Sequence, residues 1–183
     1  MKTPSQGFTL IELLVVISII GLLSGLVLVS VQGSRIKAQD SRRLSDMRQM
    51  VTAITMYYDR FESFPANHTD SCCGGWDQGP CLADGNDTFV DDLKTSGVMG
   101  SVPVDPAGKP KGSEDQSCYG YFYYVYPAGF AGCDAARGKF FVLGVRNLEA
   151  IDGPYPQSPG FSCPDKDWQD DFEWVTGGFE KDF

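Results

Sequence analysis

Gly7-Phe8-Thr9-Leu10-Ile11-Glu12 leads into an apolar run from Leu13 to Val31, and the reading of this stretch decides the fold. From Leu13 to Gln32 there are twenty residues without a charge. At about 1.5 Å rise per residue, a helix of that length spans the roughly 30 Å core of a bilayer, so the stretch predicts a membrane helix. A cleavable secretory signal has a shorter apolar core, more upstream charge than the single Lys2, and a small-x-small cleavage site, which does not occur here before Gln32. The helix is therefore expected to stay with the protein.

Glu12 is the residue most at odds with its surroundings. An ionised carboxylate in an apolar membrane helix costs on the order of a few kcal/mol, which makes it a functional candidate. Four residues after Phe8, about 6 Å along a helix, it reaches the headgroups when the helix is alone. Inside a bundle of packed helices it needs a cation. Residues 7–21, Gly-Phe-Thr-Leu-Ile-Glu-Leu-Leu-Val-Val-Ile-Ser-Ile-Ile-Gly, resemble the prepilin processing motif of type IV pilins and type II secretion pseudopilins. The resemblance implies a leader at 1–7, a cut after Gly7 by a dedicated membrane peptidase, and methylation of the new amino terminus at Phe8. It also implies that Glu12 pairs with the free amino group at Phe8 of a neighbouring subunit. Losing one partner of such a pair strands the other charge at about 3–5 kcal/mol, so the pair would act as a register device.

Charge is unevenly spread. The chain of 183 residues carries a net charge of -9. Residues 1–61 hold seven Lys and Arg against four Asp and Glu, and residues 62–183 hold eight against twenty, so the first part is +3 and the second -12. An acidic head of this kind argues against nonspecific binding to nucleic acid phosphates and suits a soluble exposed domain. The positive-inside rule alone would place Arg35, Lys37, Arg42 and Arg43 in the cytoplasm. The processing motif implies the reverse, leader inside and head outside, and the cysteines agree with the motif.

No proline occurs from Thr9 through Phe64, so the helix can continue past the membrane. Ile36, Leu44, Met47, Val51, Ile54, Tyr58 and Phe61 form one apolar stripe, with Arg42, Arg43, Asp46, Arg48 and Asp59 assigned to the polar side. Gly21, Gly25 and Gly33 offer small surfaces for helix packing. Phe64-Pro65 ends the helix. The organisation expected is thus a leader (1–7), a transmembrane and assembly half of a stem helix (8–31), an amphipathic half (32–63) and a globular head (64–183).

Within the head, residues 64–100 read as loop with one short helix near Asp91-Asp92-Leu93. Val102-Pro103-Val104-Asp105-Pro106-Ala107-Gly108 resembles the proline-aspartate-proline turn of major pseudopilins, with Ala107 where an aromatic residue is usual. Cys118–Tyr126 and Lys139–Arg146 are aromatic and β-branched runs that predict two antiparallel strands joined by a long loop. Aromatic residues on both faces suggest one face on the stem helix and the other under the tail or a neighbour; a carbohydrate platform is the alternative. The tail from Asp152, rich in Pro, Gly and Asp, reads as loop.

Six cysteines, Cys72, Cys73, Cys81, Cys118, Cys133 and Cys163, all lie in the head. Their even number points to disulfides made in an oxidising compartment, with about 15 connectivities open to six cysteines. Zinc is the competing reading, but there is no CxxC pair and only one histidine, His68. Asp165, Asp167, Asp170 and Asp171 are hard oxygen donors that suit calcium, and the pseudopilin resemblance implies calcium in a C-terminal loop; a solvated acidic loop is the alternative. No serine elbow, phosphate loop or histidine pair supports catalysis, so no enzyme is expected.

The fold class expected is α+β, a long N-terminal helix packed against a small antiparallel sheet with disulfide-stapled loops. The resemblance implies a single-pass subunit of the inner membrane, head outside, that joins a type II secretion pseudopilus. It also implies self-association with related pilin subunits, an assembly ATPase and an inner-membrane platform. A type IV pilus subunit is the alternative, and an anchored binding module that never polymerises is a third reading.

Overall fold

One helix, α1, runs from Leu10 to Phe61, as the absence of proline permits. The structure, a computed structural model, describes residues 7–68, 75–79, 89–106, 120–146, 148–151 and 153–183, and for residues 25–30 the helix but not the side chains. The helix stops just before the expected Phe64-Pro65. Glu62 takes the left-handed conformation at φ 51°, and its N–H donates to the Tyr58 carbonyl at 2.8 Å. The chain divides into two compact units, Met1–Ala38 and Gln39–Phe183.

In the second unit the outer part of α1 buries Leu44, Met47, Met50, Ala53 and Ile54, with Val51 and Tyr58 packed beside them. Two polar assignments made from the stripe, Arg43 and Asp46, are corrected. Both are buried, as is Asp40, because they continue the inward face toward the helix start. The short helix α2, Asp92–Thr95, lies where it was expected.

Four strands form an antiparallel sheet in the order β1-β2-β3-β6. They are β1 (Asp77–Gln78), β2 (Gly120–Tyr126), β3 (Phe140–Arg146) and β6 (Trp174–Phe179). The two predicted strands are β2 and β3, paired through Tyr121↔Val145, Tyr123↔Leu143 and Val125↔Phe141. Because side chains alternate across a sheet, Tyr121, Tyr123, Phe141, Leu143 and Val145 meet the helix. Phe122, Phe140, Val142, Val175 and Phe179 form a second core on the opposite face, which Phe161, Trp168 and Phe172 of the tail cover. The reading that places one face on the helix and the other under the tail holds.

The sheet's last strand corrects the reading of the tail as loop. Gly177 and Gly178 argue against a strand by composition, since glycine weakens strand interiors. The close approach of the tail requires them here: a Cβ on Gly177 would lie 2.6 Å from both the Phe161 ring and the Phe141 carbonyl oxygen. A hairpin of β4 (Ser162–Cys163) and β5 (Lys166–Asp167) sits in this tail. Its Cys163 forms a disulfide with Cys133 in the β2–β3 connection. Cys72, Cys73, Cys81 and Cys118 lie outside the described residues, and four cysteines leave about three connectivities.

Two outcomes follow from this packing. A Cβ on Gly144 would sit 2.6 Å from the Phe172 ring, so Gly144→Ala should lower unfolding stability by about 1–3 kcal/mol in denaturant titration. An unchanged midpoint would mean that the tail does not press on the sheet. The second concerns pH. Burial, and for Tyr121 also its hydrogen bond to Asp46, raises the Tyr121 and Tyr123 phenols above the ordinary value. Below about pH 10 both folded and unfolded states keep these protons; above it the unfolded chain loses protons that the folded chain retains. Stability should therefore fall as pH rises past about 10, by up to ~1.4 kcal/mol per pH unit for each tyrosine, and Tyr121→Phe should flatten the slope of midpoint against pH.

Candidate functional site

The amino-terminal segment is built around a reciprocal hydrogen-bonded cap. Gly7 and Phe8 precede the helix and are exposed. Thr9 stands at the cap position and Glu12 in the first turn. The Glu12 carboxylate accepts from the Thr9 N–H at 2.9 Å and from the Thr9 hydroxyl at 2.7 Å, while Thr9 Oγ1 accepts from the Glu12 N–H at 3.3 Å. This is a capping box, in which Thr and Glu three residues apart satisfy donors that a helix start leaves open. The signal stands in the sequence as Thr9-Leu10-Ile11-Glu12, and it gives Glu12 a local role beside any pairing with an amine.

Beyond the cap, residues 13–23 of α1 carry no charge on any side. Leu10, Ile11, Leu13, Leu14, Ile17, Ile20 and Leu22 are each more than half exposed, and so is Val31. A helix without a polar face is stable only when lipid or other helices cover it. Among the described residues no helix is long and apolar enough to cross a membrane. The span read from sequence includes residues 25–30, whose side chains lie outside that description.

A second constellation escaped the sequence reading. Arg43 is 3% exposed and holds three carboxylates. It donates to Asp40 at 2.6 Å, to both oxygens of Asp105 at 2.9 and 3.0 Å, and to Glu149 at 3.1 Å. Asp40 in turn accepts from the backbone N–H groups of Glu149 and Ala150 at 3.1 and 2.7 Å. Nearby, the Tyr121 hydroxyl donates to Asp46 at 2.7 Å. Burial by itself would lower the Arg43 pKa, and the carboxylates of Asp105, Asp40 and Glu149 outweigh it and raise it. One guanidinium thus ties together the helix, the 102–106 segment and the 148–150 segment that follows β3. Asp105 and Glu149 lie 62 and 106 residues from Arg43, so only the pairing with Asp40, one helical turn away, had a local signal.

Most of the remaining predicted residues have local partners. Asp171 pairs with Lys166 at 2.7 Å, and Asp167 accepts from the Gln169 N–H at 2.9 Å. The Asp165 N–H donates to the Ala131 carbonyl. Among the described residues no group of three or more His, Cys, Asp and Glu is gathered to hold a metal ion. The N–H of His68 donates to the Asp77 carboxylate at 3.1 Å.

Comparison with known proteins bears on the same segment. Residues 2–28 match the family model described as the prokaryotic N-terminal methylation motif. The chain is 37% identical over 71 residues to a fimbrial protein of Neisseria meningitidis, covering 39% of this chain and 42% of that protein. It is 36% identical over 106 residues to the type IV major fimbrial protein FimA of Dichelobacter nodosus, covering 54% of this chain and 62% of that protein. It is 30% identical over 109 residues to the type II secretion system core protein G of Aeromonas hydrophila, covering 60% of this chain and 72% of that protein. The match thus spans only about two fifths of the length of the Neisseria relatives. No solved structure matches.

The cap is separable from the other features by substitution. Thr9→Val keeps the side-chain shape but removes the hydroxyl, and should cost the helix start about 1 kcal/mol, or roughly fivefold faster amide exchange in the first turn. Exchange unchanged from the parent protein would show that the Thr9–Glu12 bonds do not hold the helix start.

Proposed function

The chain belongs to the family of type IV pilins and type II secretion pseudopilins, and we propose that it is a structural subunit of a type II secretion pseudopilus. The observation that carries this reading is the match to core protein G, which extends past the N-terminal motif to cover 72% of that protein. In this reading a prepilin peptidase cuts between Gly7 and Phe8 and the new terminus is methylated. The apolar part of α1 holds the subunit in the inner membrane with the head outside. Assembly then packs these helices together, driven by an ATPase and a membrane platform. A lone helix of exposed Leu, Ile and Val gains from that packing because neighbouring helices replace lipid at close range. The disulfide between Cys133 and Cys163 supports an oxidising compartment for the head.

A type IV pilus subunit is the second reading, favoured by the identity of 37% to a fimbrial protein over 71 residues. Both readings give Glu12 the same task. Packed among helices its carboxylate loses water, and the amino group freed at Phe8 of a neighbour supplies the compensating charge. The function is mechanical in both, and none of the described residues is assigned to catalysis.

Intact mass of the protein extracted from its host membrane tests the processing step. It should correspond to a chain beginning at methylated Phe8, and a chain that keeps Met1–Gly7 beside an active peptidase would overturn the proposal. Glu12→Ala should abolish filaments visible by electron microscopy while leaving the head folded by circular dichroism; filaments of normal abundance would point instead to an anchored binding module.

A further inference from the structure

β6 is an outer strand of the sheet, and its outer edge is only partly covered. The Glu180 N–H donates to the Lys139 carbonyl at 2.9 Å, which continues the β3–β6 register. Because backbone groups alternate along an antiparallel ladder, those of Thr176 and Gly178 turn to β3, and those of Val175, Gly177 and Phe179 turn outward. At Val175 a side chain stands in for a further strand: Ser158 Oγ accepts from the Val175 N–H at 2.9 Å and donates to its carbonyl at 3.2 Å. Past Ser158 the covering segment parts from the strand. Residues 159–162 become one wall of a cleft of about 500 Å³, with Gly177 and Phe179 on the other side. The outward N–H and carbonyl of Gly177 have no hydrogen bond to any described residue.

We propose that this cleft takes an extended peptide bearing lysine or arginine, which adds to the sheet as a strand beside Gly177 and Phe179. The proposal does not depend on which filament the chain joins. An open strand edge is a template for main-chain pairing, and proteins commonly blunt it with proline or a covering loop. Here Ser158 and Pro159 do so at Val175, and the cleft begins at the next outward residue. Strand addition draws its affinity from main-chain hydrogen bonds and its specificity from the walls that meet alternate side chains. Gly177 and Phe179 are two outward positions ~7 Å apart, so a peptide of about five residues spans them with a residue to spare at each end. The Phe161 and Phe179 rings, 5.5 Å apart, give the cleft an apolar surface. Charge then selects a cation. Arg137 is already engaged by Asp182 and lies over the Phe179 ring at 3.7 Å. Asp167 is exposed and accepts from the Gln169 N–H, so Arg137 set against Asp167 and Asp182 leaves the cleft one negative charge. A small anion fits less well, because the cation that lines the cleft is paired.

The experiment follows amide hydrogen exchange of the full chain in detergent micelles by mass spectrometry, with and without the capped peptide Thr-Val-Lys-Val-Lys-Val-Thr at millimolar concentration. The N–H groups of Gly177 and Phe179 should exchange at least tenfold more slowly when the peptide is present. The same peptide N-methylated at every internal residue should give no protection, since it has no main-chain donors to pair with the edge. Protection should weaken several-fold with glutamates in place of the lysines, and also in Asp167→Asn, a change on an exposed side chain whose amide oxygen can still accept from the Gln169 N–H. Unchanged exchange at Gly177 and Phe179 would overturn the proposal. Equal protection by the N-methylated peptide would make the cleft a side-chain groove and overturn strand addition, and equal protection by the glutamate peptide would overturn the choice of a cation. Protection that appears without peptide and grows with protein concentration would assign the edge to a second copy of the chain and overturn the peptide assignment.

Discussion

Packing of Leu44, Met47, Met50 and Ile54 of α1 against Tyr121, Tyr123, Phe141, Leu143 and Val145 determines where the other elements of the head can lie. Once the helix occupies one face of the sheet, the alternation of side chains commits Phe122, Phe140, Val142 and Phe179 to the other face, where water would meet a row of large aromatic and aliphatic groups. The tail resolves that exposure. Its Phe161, Trp168 and Phe172 cover the second face, and β6 extends the sheet on the side of β3. At Gly144 and Gly177 an added Cβ would lie 2.6 Å from the Phe172 and Phe161 rings, so the absence of a side chain there is what lets the rings seat. The disulfide from Cys133 to Cys163 joins the β2–β3 connection to this covering segment.

The buried polar group around Arg43 serves the same packing in a different way. Apolar contacts are tolerant of small shifts, whereas a guanidinium held by three carboxylates accepts few arrangements. Asp105, Glu149 and Asp40 come from segments with no regular structure in common, so their convergence fixes the 102–106 and 148–150 segments relative to the helix. Removing the cation would leave several carboxylates poorly compensated, which is why such groups impose specificity more than they add stability.

The amino-terminal segment obeys a simpler rule. A helix start must satisfy its open N–H groups, and Thr9 and Glu12 do so reciprocally before any neighbour is involved. The same carboxylate in a packed bundle would need a positive partner. Glu12 therefore has a local use in the single chain, and the assembly proposed above would ask a different one of it. The apolar surface that follows poses the complementary problem, since it has no side that water can wet.

Much of this was legible in order along the chain. The long helix, its apolar stripe, the strands at β2 and β3, the covered second face and the family resemblance all rest on local patterns: periodicity, β-branched and aromatic runs, a proline-free stretch, and a short motif. The capping box at Thr9 and Glu12 was equally local and was passed over because the acid was read against the membrane rather than against its own helix. Tertiary structure alone decided the rest. Arg43 and Asp46 looked solvent-facing because a helical stripe is scored on apolar residues, and the Asp105 and Tyr121 that engage them are more than sixty residues away. Strand β6 looked like loop because its two glycines lower strand preference, and only the rings packed over them explain their presence. Sequence by itself determined which segments repeat a local geometry; which distant groups meet was settled by burial, since a polar or glycine position shows its purpose only when its neighbours in space are known.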